Sequence, residues 1–363
     1  LTRFTFPEEA LYVDPEYARQ NAGVFLKHLF SNGTTAAMAF CSVHKTCAEA
    51  LFGAAQARNM ALVTGKTMMD RNAIPQVLDD ATTGGLESEQ LYQAWHGKGR
   101  LRYAISPRFA ITSTEAQLKV AGELLKSYPD ALMQTHLSES AGEIAMVKSL
   151  FPNERDYTAV YERFGLVNDR GVFAHGIHLS ESECQRLHEA GASIAHCPTS
   201  NNFLGSGLMS MAHLGKTERP VPYALATDVG GGTSYSMLTT MAEAYKVQML
   251  TGYRPTALEL FFLATRGNAE RLGLLIDQAA APLAVGRPYV MPPGTPKDRV
   301  EAMRKAFMAT IPDPAFQAEQ VRQQPDANDP TTAAEIHKIP LAAHNPPPPA
   351  TKPLQPPATP SRR

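Results

Sequence analysis

Between about residues 20 and 275, short apolar runs of strand length alternate with segments of helical period. That rhythm constrains the fold more than any other feature. Strands separated by helix-length connections pair in parallel, and the helices cover the sheet. Strands are expected at Thr34–Val43, Met60–Met69, Leu101–Ile105, Ala131–Thr135, Val172–Ala174, Ala192–Ala195 and Tyr223–Ala226. Helices are expected over 16–31, from Cys47 to Ala55, and over 86–97, 141–150, 181–190 and 236–250. A further helix, capped by Ser113 or Thr114, carries Leu118, Ala121, Leu124 and Leu125 on one face. The expected strands make an α/β chain one short of a closed eight-stranded barrel. The reading is therefore an incomplete (β/α)8 TIM barrel, and the missing strand is expected to be the first, because the chain opens almost directly on a helix.

Four of these runs end in polar segments: Thr135-His136-Leu137-Ser138-Glu139, Ala174-His175-Gly176, Ala195-His196-Cys197-Pro198 and Thr227-Asp228-Val229-Gly230. Successive strand ends of a parallel barrel share one face, where barrel enzymes place their chemistry. His136 and His175 offer neutral nitrogen ligands and Asp228 an anionic oxygen, the donor types that zinc takes. Glu139, three residues after His136, suits a proton carrier. Asp228 can both bind a metal and accept a proton from water, and the glycines Gly230 to Gly232 follow it. Phosphate binding at that turn is discounted, since no Lys-Ser/Thr or GxGxxG pattern accompanies it. Arg108 and Phe109 close the Leu101 strand in Ser-Pro-Arg-Phe, a guanidinium for a carbonyl-bearing or anionic ligand and a ring to stack on a flat one. His196 is read as a wall of the substrate site, and His178 and His188 as peripheral. Taken singly, each group is also compatible with ordinary packing at a strand end; the case rests on their shared face and order.

The bulk composition excludes several classes. The 363 residues are 44% hydrophobic with a net charge of -1, and lysine and arginine are spread along the chain, so no nucleic-acid surface is indicated. No apolar run reaches the ~18 residues of a membrane span. The four cysteines, Cys41, Cys47, Cys184 and Cys197, form no CxxC pair, which suits a reducing cytoplasm. Cys41 and Cys47, separated by five residues, could in principle share a metal, but they read as small buried hydrophobes. After about residue 278 the pattern changes. A helix is expected over 297–310, and Pro340 to Arg363 holds nine prolines in 24 residues, the composition of a disordered or polyproline-like tail.

The segments Leu1-Thr2-Arg3-Phe4-Thr5-Phe6-Pro7-Glu8, Ser106-Pro107-Arg108-Phe109, Gln134 to Glu139, Ala174-His175-Gly176, Gly191 to Asn201, Thr227 to Gly232 and Ser234 to Leu238 together resemble the guanine deaminases of the amidohydrolase superfamily. The resemblance covers about residues 1–275 and implies a barrel of the metal-dependent hydrolase type. It implies one zinc ion held by His136, His175 and Asp228 together with two histidines of a His-x-His motif. It also implies Glu139 and Asp228 as the catalytic groups, with Arg108, Phe109, His136, Glu139 and Asp228 contacting guanine. The implied reaction is hydrolysis of guanine to xanthine and ammonia in a cytoplasmic, commonly dimeric enzyme. None of the eleven histidines stands two residues from another, and His28, His44 and His96 are not spaced to substitute. The family's His-x-His lies just before the point where this sequence begins, so a truncated barrel (1–278) is expected. Residues 279–339 are expected to be a foreign segment, since Pro292 to Phe316 resembles the C-terminal end of solute-binding proteins of tripartite tricarboxylate transport, followed by the tail, 340–363. The alternatives are an amidohydrolase acting on another purine, a pterin or a triazine, and an inactive fragment or fusion product.

Overall fold

The computed structural model describes residues 1–272, together with Asp298, Glu301, Ala302 and Lys305, which are helical. Those four fall within the helix expected over 297–310; the remainder of the expected foreign segment and the proline-rich tail lie outside the described residues. Two compact units are distinguished, Leu1–Leu274 and Leu275–Arg363.

The first unit is the expected alternation. Its strands are β1 (Ala36–Phe40), β2 (Ala61–Gly65), β3 (Thr67–Met68), β4 (Leu101–Pro107), β5 (Leu132–Leu137), β6 (Gly171–His175), β7 (Ser193–His196) and β8 (Tyr223–Leu225). All pair in parallel in the order β1-β2-β4-β5-β6-β7-β8, with β3 also on β4. β2 and β3 are one path interrupted at Lys66, where the sequence suggests a single strand from Met60 to Met69. Among the described residues β1 and β8 do not pair with each other, so the sheet is an incomplete (β/α)8 barrel.

The helices are α1 (Thr5–Ala10), α2 (Pro15–Ser31), α3 (Lys45–Gln56), α4 (Ala81–Trp95), α5 (Glu115–Ser127), α6 (Ala141–Leu150), α7 (Tyr157–Arg163), α8 (Glu181–Glu189), α9 (Pro198–Leu204), α10 (Met211–Leu214), α11 (Met237–Leu250), α12 (Ala257–Ala264) and α13 (Arg266–Arg271). Most start on a side-chain cap. Thr114 accepts from Gln117 N, and Ser140 and Ser180 form full capping boxes with Glu143 and Glu183. α4 begins five residues before its expected start. Its first turn, Ala-Thr-Thr-Gly-Gly, has poor helix propensity, but Asp80 accepts from Thr82 N and Thr83 N and sets the helix going.

Two layers of packing position the site. Outside the sheet, Leu26, Phe52, Leu91, Tyr103, Leu118, Tyr161, Phe173 and Leu187 belong to one continuous core under the helices. Inside it, Val63, Ala104 and Leu132 form a smaller cluster with Met38. One step along β5, Gln134 Nε2 donates to Ser106 Oγ (2.9 Å) and to the Ala39 carbonyl (3.1 Å), bridging strands across the interior. The next inward residue of β5 is His136. The barrel is therefore filled in layers, apolar below and polar above, as barrel interiors are.

Lys66 leaves the sheet at the β2–β3 break and is fully buried. Its Nζ lies 2.8 Å from Asp79 Oδ2 and 2.8 Å from Glu87 Oε2. Asp79 also accepts from Met69 N (3.0 Å) and Gln117 Nε2 (2.7 Å). Removing the cation leaves a desolvated carboxylate with no charge partner. Lys66→Met should therefore destabilise the unit by about 3 kcal/mol, read as a fall in the urea midpoint at unchanged slope.

Candidate active site

At the C-terminal end of β5, the His136 ring sits beside three other rings. Its centroid is 5.4 Å from that of His175, 5.0 Å from Phe40 and 5.9 Å from Phe109. His136 Nδ1 donates to the Arg108 carbonyl at 2.7 Å, which leaves Nε2 as the free nitrogen. The same carbonyl accepts from His136 N (3.1 Å) and Thr135 Oγ1 (3.2 Å). Burial, with His175 and Arg108 nearby, pushes the His136 pKa down to about 3. The ring is therefore the neutral form that a metal requires.

His175 reaches the same place by a different route. On β6 it shares the alternation of Phe173, which faces the helices. A left-handed backbone at His175 (φ 72°), followed by Gly176 (φ 58°), breaks that alternation and sets the imidazole beside His136. Its Nδ1 is 2.8 Å from Asn201 Oδ1 and its Nε2 is 3.7 Å from Glu139 Oε2. Glu139 is held on its other oxygen by Ser206 Oγ (2.8 Å). Asp228 is also left-handed, with φ 46°. Burial raises its pKa, opposed by His175 and the Ser200 hydroxyl.

Donor atoms of His175, Cys197 and Asp228 all lie within 4.8 Å of one another. Nitrogen, sulfur and carboxylate oxygen suit zinc, so the residues present fit that ion. The structure thus brings His175 and Asp228 together, stacks His136 against His175 and places Glu139 alongside. Cys197 is an addition to which the sequence alone assigns no ligand role. Its thiol donates to the Ala195 carbonyl (3.3 Å), and burial pushes its pKa well up, so it is the least available donor of the three. Cys41 and Cys47, also buried, are not part of this group. His178 and His188 bond to the carbonyls of Ser206 (2.9 Å) and Pro220 (2.8 Å), away from the cluster. His196 is fully buried, and neither ring nitrogen has a partner among the described residues.

Arg108 follows β4 directly. Its Nη1 lies 2.8 Å from both oxygens of Glu9 on α1, and its guanidinium lies 5.3 Å from the centre of the Phe6 ring. Sequence reasoning missed Glu9, because a carboxylate 99 residues upstream carries no local signal of its partner. The only hint is the Leu1–Glu8 segment beside it.

The amidohydrolase family model matches residues 2–277, more than half of the sequence. The chain belongs to the amidohydrolase family. Within that family it is 48% identical over 274 residues to the guanine deaminase of Escherichia coli (strain K12), covering 76% of this chain and 62% of that protein. The crystal structure of the E. coli guanine deaminase superposes with a TM-score of 0.74, over 76% of this chain and 64% of that one. A guanine deaminase from C. acetobutylicum with guanine bound in its active site is 30% identical, with a TM-score of 0.72, covering 75% and 66%. The chain thus spans about three-fifths of the length of the curated relatives it matches. In this amidohydrolase barrel no described helix is long and apolar enough to cross a membrane.

The glycines after Asp228 are set by space. A Cβ on Gly232 would stand 2.1 Å from the Thr227 carbonyl oxygen, and one on Gly231 would stand 2.8 Å from Ser200 Oγ. Gly232→Ala should displace the Asp228 loop and cost about 1–3 kcal/mol. Gly142→Ala, in helix α6 with open space around it, should be neutral or stabilising. Differential scanning calorimetry of both variants checks this.

Burial also pushes the His196 pKa down to about 3. In the metal-free protein, His136 and His196 stay neutral on acidification while the unfolded chain protonates them near pH 6.5. Their contribution is fully present above the unfolded value and is lost as pH falls from there towards about 3. Each should add a slope of about 1.4 kcal/mol per pH unit in that window. Urea titrations between pH 6 and pH 4 should show His196→Asn with the shallower dependence.

Proposed function

We propose that this chain carries a zinc-dependent site for the hydrolytic deamination of guanine to xanthine and ammonia. The observation that carries the reading is the placement of Arg108 and Phe109 beside His136, whose ring stacks on His175, at the same strand ends as Glu139 and Asp228. The 48% identity to the E. coli guanine deaminase supports the choice of ring. One zinc ion per chain, held by His136, His175 and Asp228, belongs to the proposal. Bound there, zinc supplies Lewis-acid activation of water at neutral pH.

The remaining work falls to side chains. Arg108 commits Nη1 to Glu9 and turns the rest of its guanidinium to a ring carbonyl, while Phe109 offers a stacking face. Pairing with Glu9 offsets the charge of Arg108, which suits a neutral purine better than an anion. Asp228, made more basic by burial, accepts a proton from the attacking water. Glu139, with Oε1 on Ser206, carries a proton on Oε2 to the leaving amine.

His175 Nε2 has a second use. At 3.7 Å from Glu139 Oε2 it can exchange a proton with that carboxylate instead of binding zinc. The two roles separate in His175→Gln, which loses zinc in the first case and keeps it, with a lowered kcat, in the second. The same overall reading places the protein in the cytoplasm, with a homodimer as the assembly to look for by size-exclusion chromatography.

Purified protein supplied with zinc should bind one equivalent and release xanthine and ammonia from guanine. Glu139→Gln should lower kcat by about 10²–10⁴-fold while still binding guanine. Stoichiometric zinc without turnover of any ring would sink the proposal, and turnover of a pterin or triazine but not guanine would reassign the substrate.

A further inference from the structure

Thr199, Ser200 and Asn201 open helix α9 as three consecutive buried polar residues. Each lies against the site: Thr199 Oγ1 donates to the Thr227 carbonyl (3.0 Å), and the Ser200 hydroxyl favours the charged form of Asp228. Asn201 does more than its neighbours. Its side-chain oxygen lies 2.8 Å from His175 Nδ1, and its main-chain oxygen accepts from Ser206 N (2.9 Å). Ser206 Oγ holds Glu139 Oε1 (2.8 Å), and Glu139 Oε2 faces His175 Nε2 (3.7 Å). The contacts close a ring, from Asn201 through Ser206 and Glu139 to His175 and back.

We propose that Asn201 is a positioning residue that fixes His175 as its Nδ1–H tautomer, presenting the Nε2 lone pair to Glu139 and Asp228. A neutral imidazole has one donor and one acceptor nitrogen, and the partner of one decides the role of the other. The amide oxygen of Asn201 accepts only, so Nδ1 keeps the hydrogen. Asn201 is 1% exposed and, among the described residues, its Nδ2 has no partner, so the His175 contact is what orients the amide. In either role given to His175 above, the acceptor must be Nε2. The inference rests on that reading for its catalytic meaning, but not for its test.

The test is long-range ¹⁵N–¹H correlation of histidine side chains in the metal-free full chain at pH 8.5, without substrate. The His175 resonances are assigned by their loss in His175→Gln. Wild type should show the Nδ1–H pattern. Asn201→Asp, which keeps an acceptor at the same place, should retain it, and Asn201→Leu should lose it. Steady-state assays with guanine should then give Asn201→Leu a kcat reduced by about 10–100-fold at little changed KM, with Asn201→Asp recovering most of it. An Nε2–H pattern in wild type overturns the proposal, as does an unchanged Nδ1–H pattern in folded Asn201→Leu. If Asn201→Leu does not fold, wild type and Asn201→Asp decide, and Nε2–H in either overturns it. An enzyme inactive on guanine with the Nδ1–H pattern in place would defeat the deamination reading alone.

Discussion

The site depends on two side chains held by a backbone conformation that ordinary residues avoid. His175 and Asp228 both have positive φ, and each stands where a strand hands over to its loop. A β-strand turns successive side chains to opposite faces, so a regular β6 delivers every second residue to the helices rather than to the barrel mouth. The left-handed turn at His175 overrides this, at a cost of order 1–3 kcal/mol. Neighbouring hydrogen bonds offset that cost. Gly176 N donates to the Leu137 carbonyl (2.9 Å), and Gly231 N and Gly232 N both donate to the Asp228 carbonyl. Ser138, between His136 and Glu139, is likewise left-handed (φ 49°). Ser138, His175 and Asp228 are thus the strained positions at the mouth of the barrel; the other two described non-glycine residues with positive φ, Asn59 and Asn72, are asparagines, which tolerate that conformation.

This explains what could and could not be read in the sequence. The strand–helix rhythm gave the class and order of elements, because periodicity reports which faces are buried. It also gave the polar strand ends, since a histidine or aspartate closing an apolar run stands out. It could not give the break at Lys66, where Met60 to Met69 is apolar enough to pass for one strand while its lysine turns outward to Asp79 and Glu87. It could not give α9 or the roles within it: Thr199, Ser200 and Asn201 look like loop polarity until the helix is seen to bury them. Glu9 was invisible for a simpler reason. Ion pairs between distant segments leave no local pattern, and only the folded chain shows which carboxylate meets Arg108.

The electrostatics follow from the same burial. Desolvation favours neutral forms, so it holds His136 and His196 unprotonated and raises the Asp228 carboxyl. Near neutral pH the His136 and His196 rings are therefore uncharged. Arg108, at the edge of the mouth, is already balanced by Glu9.

Arg108 has a further consequence. Its side chain pairs with Glu9, but its contribution to His136 and Thr135 is made by the main-chain carbonyl. Main-chain oxygens are the same for every residue type, so position 108 can change identity without releasing the histidine. Side-chain pairing and histidine geometry are thereby uncoupled at a single residue. A substitution at 108 would change the charge at the mouth of the barrel while the His136 ring keeps its orientation.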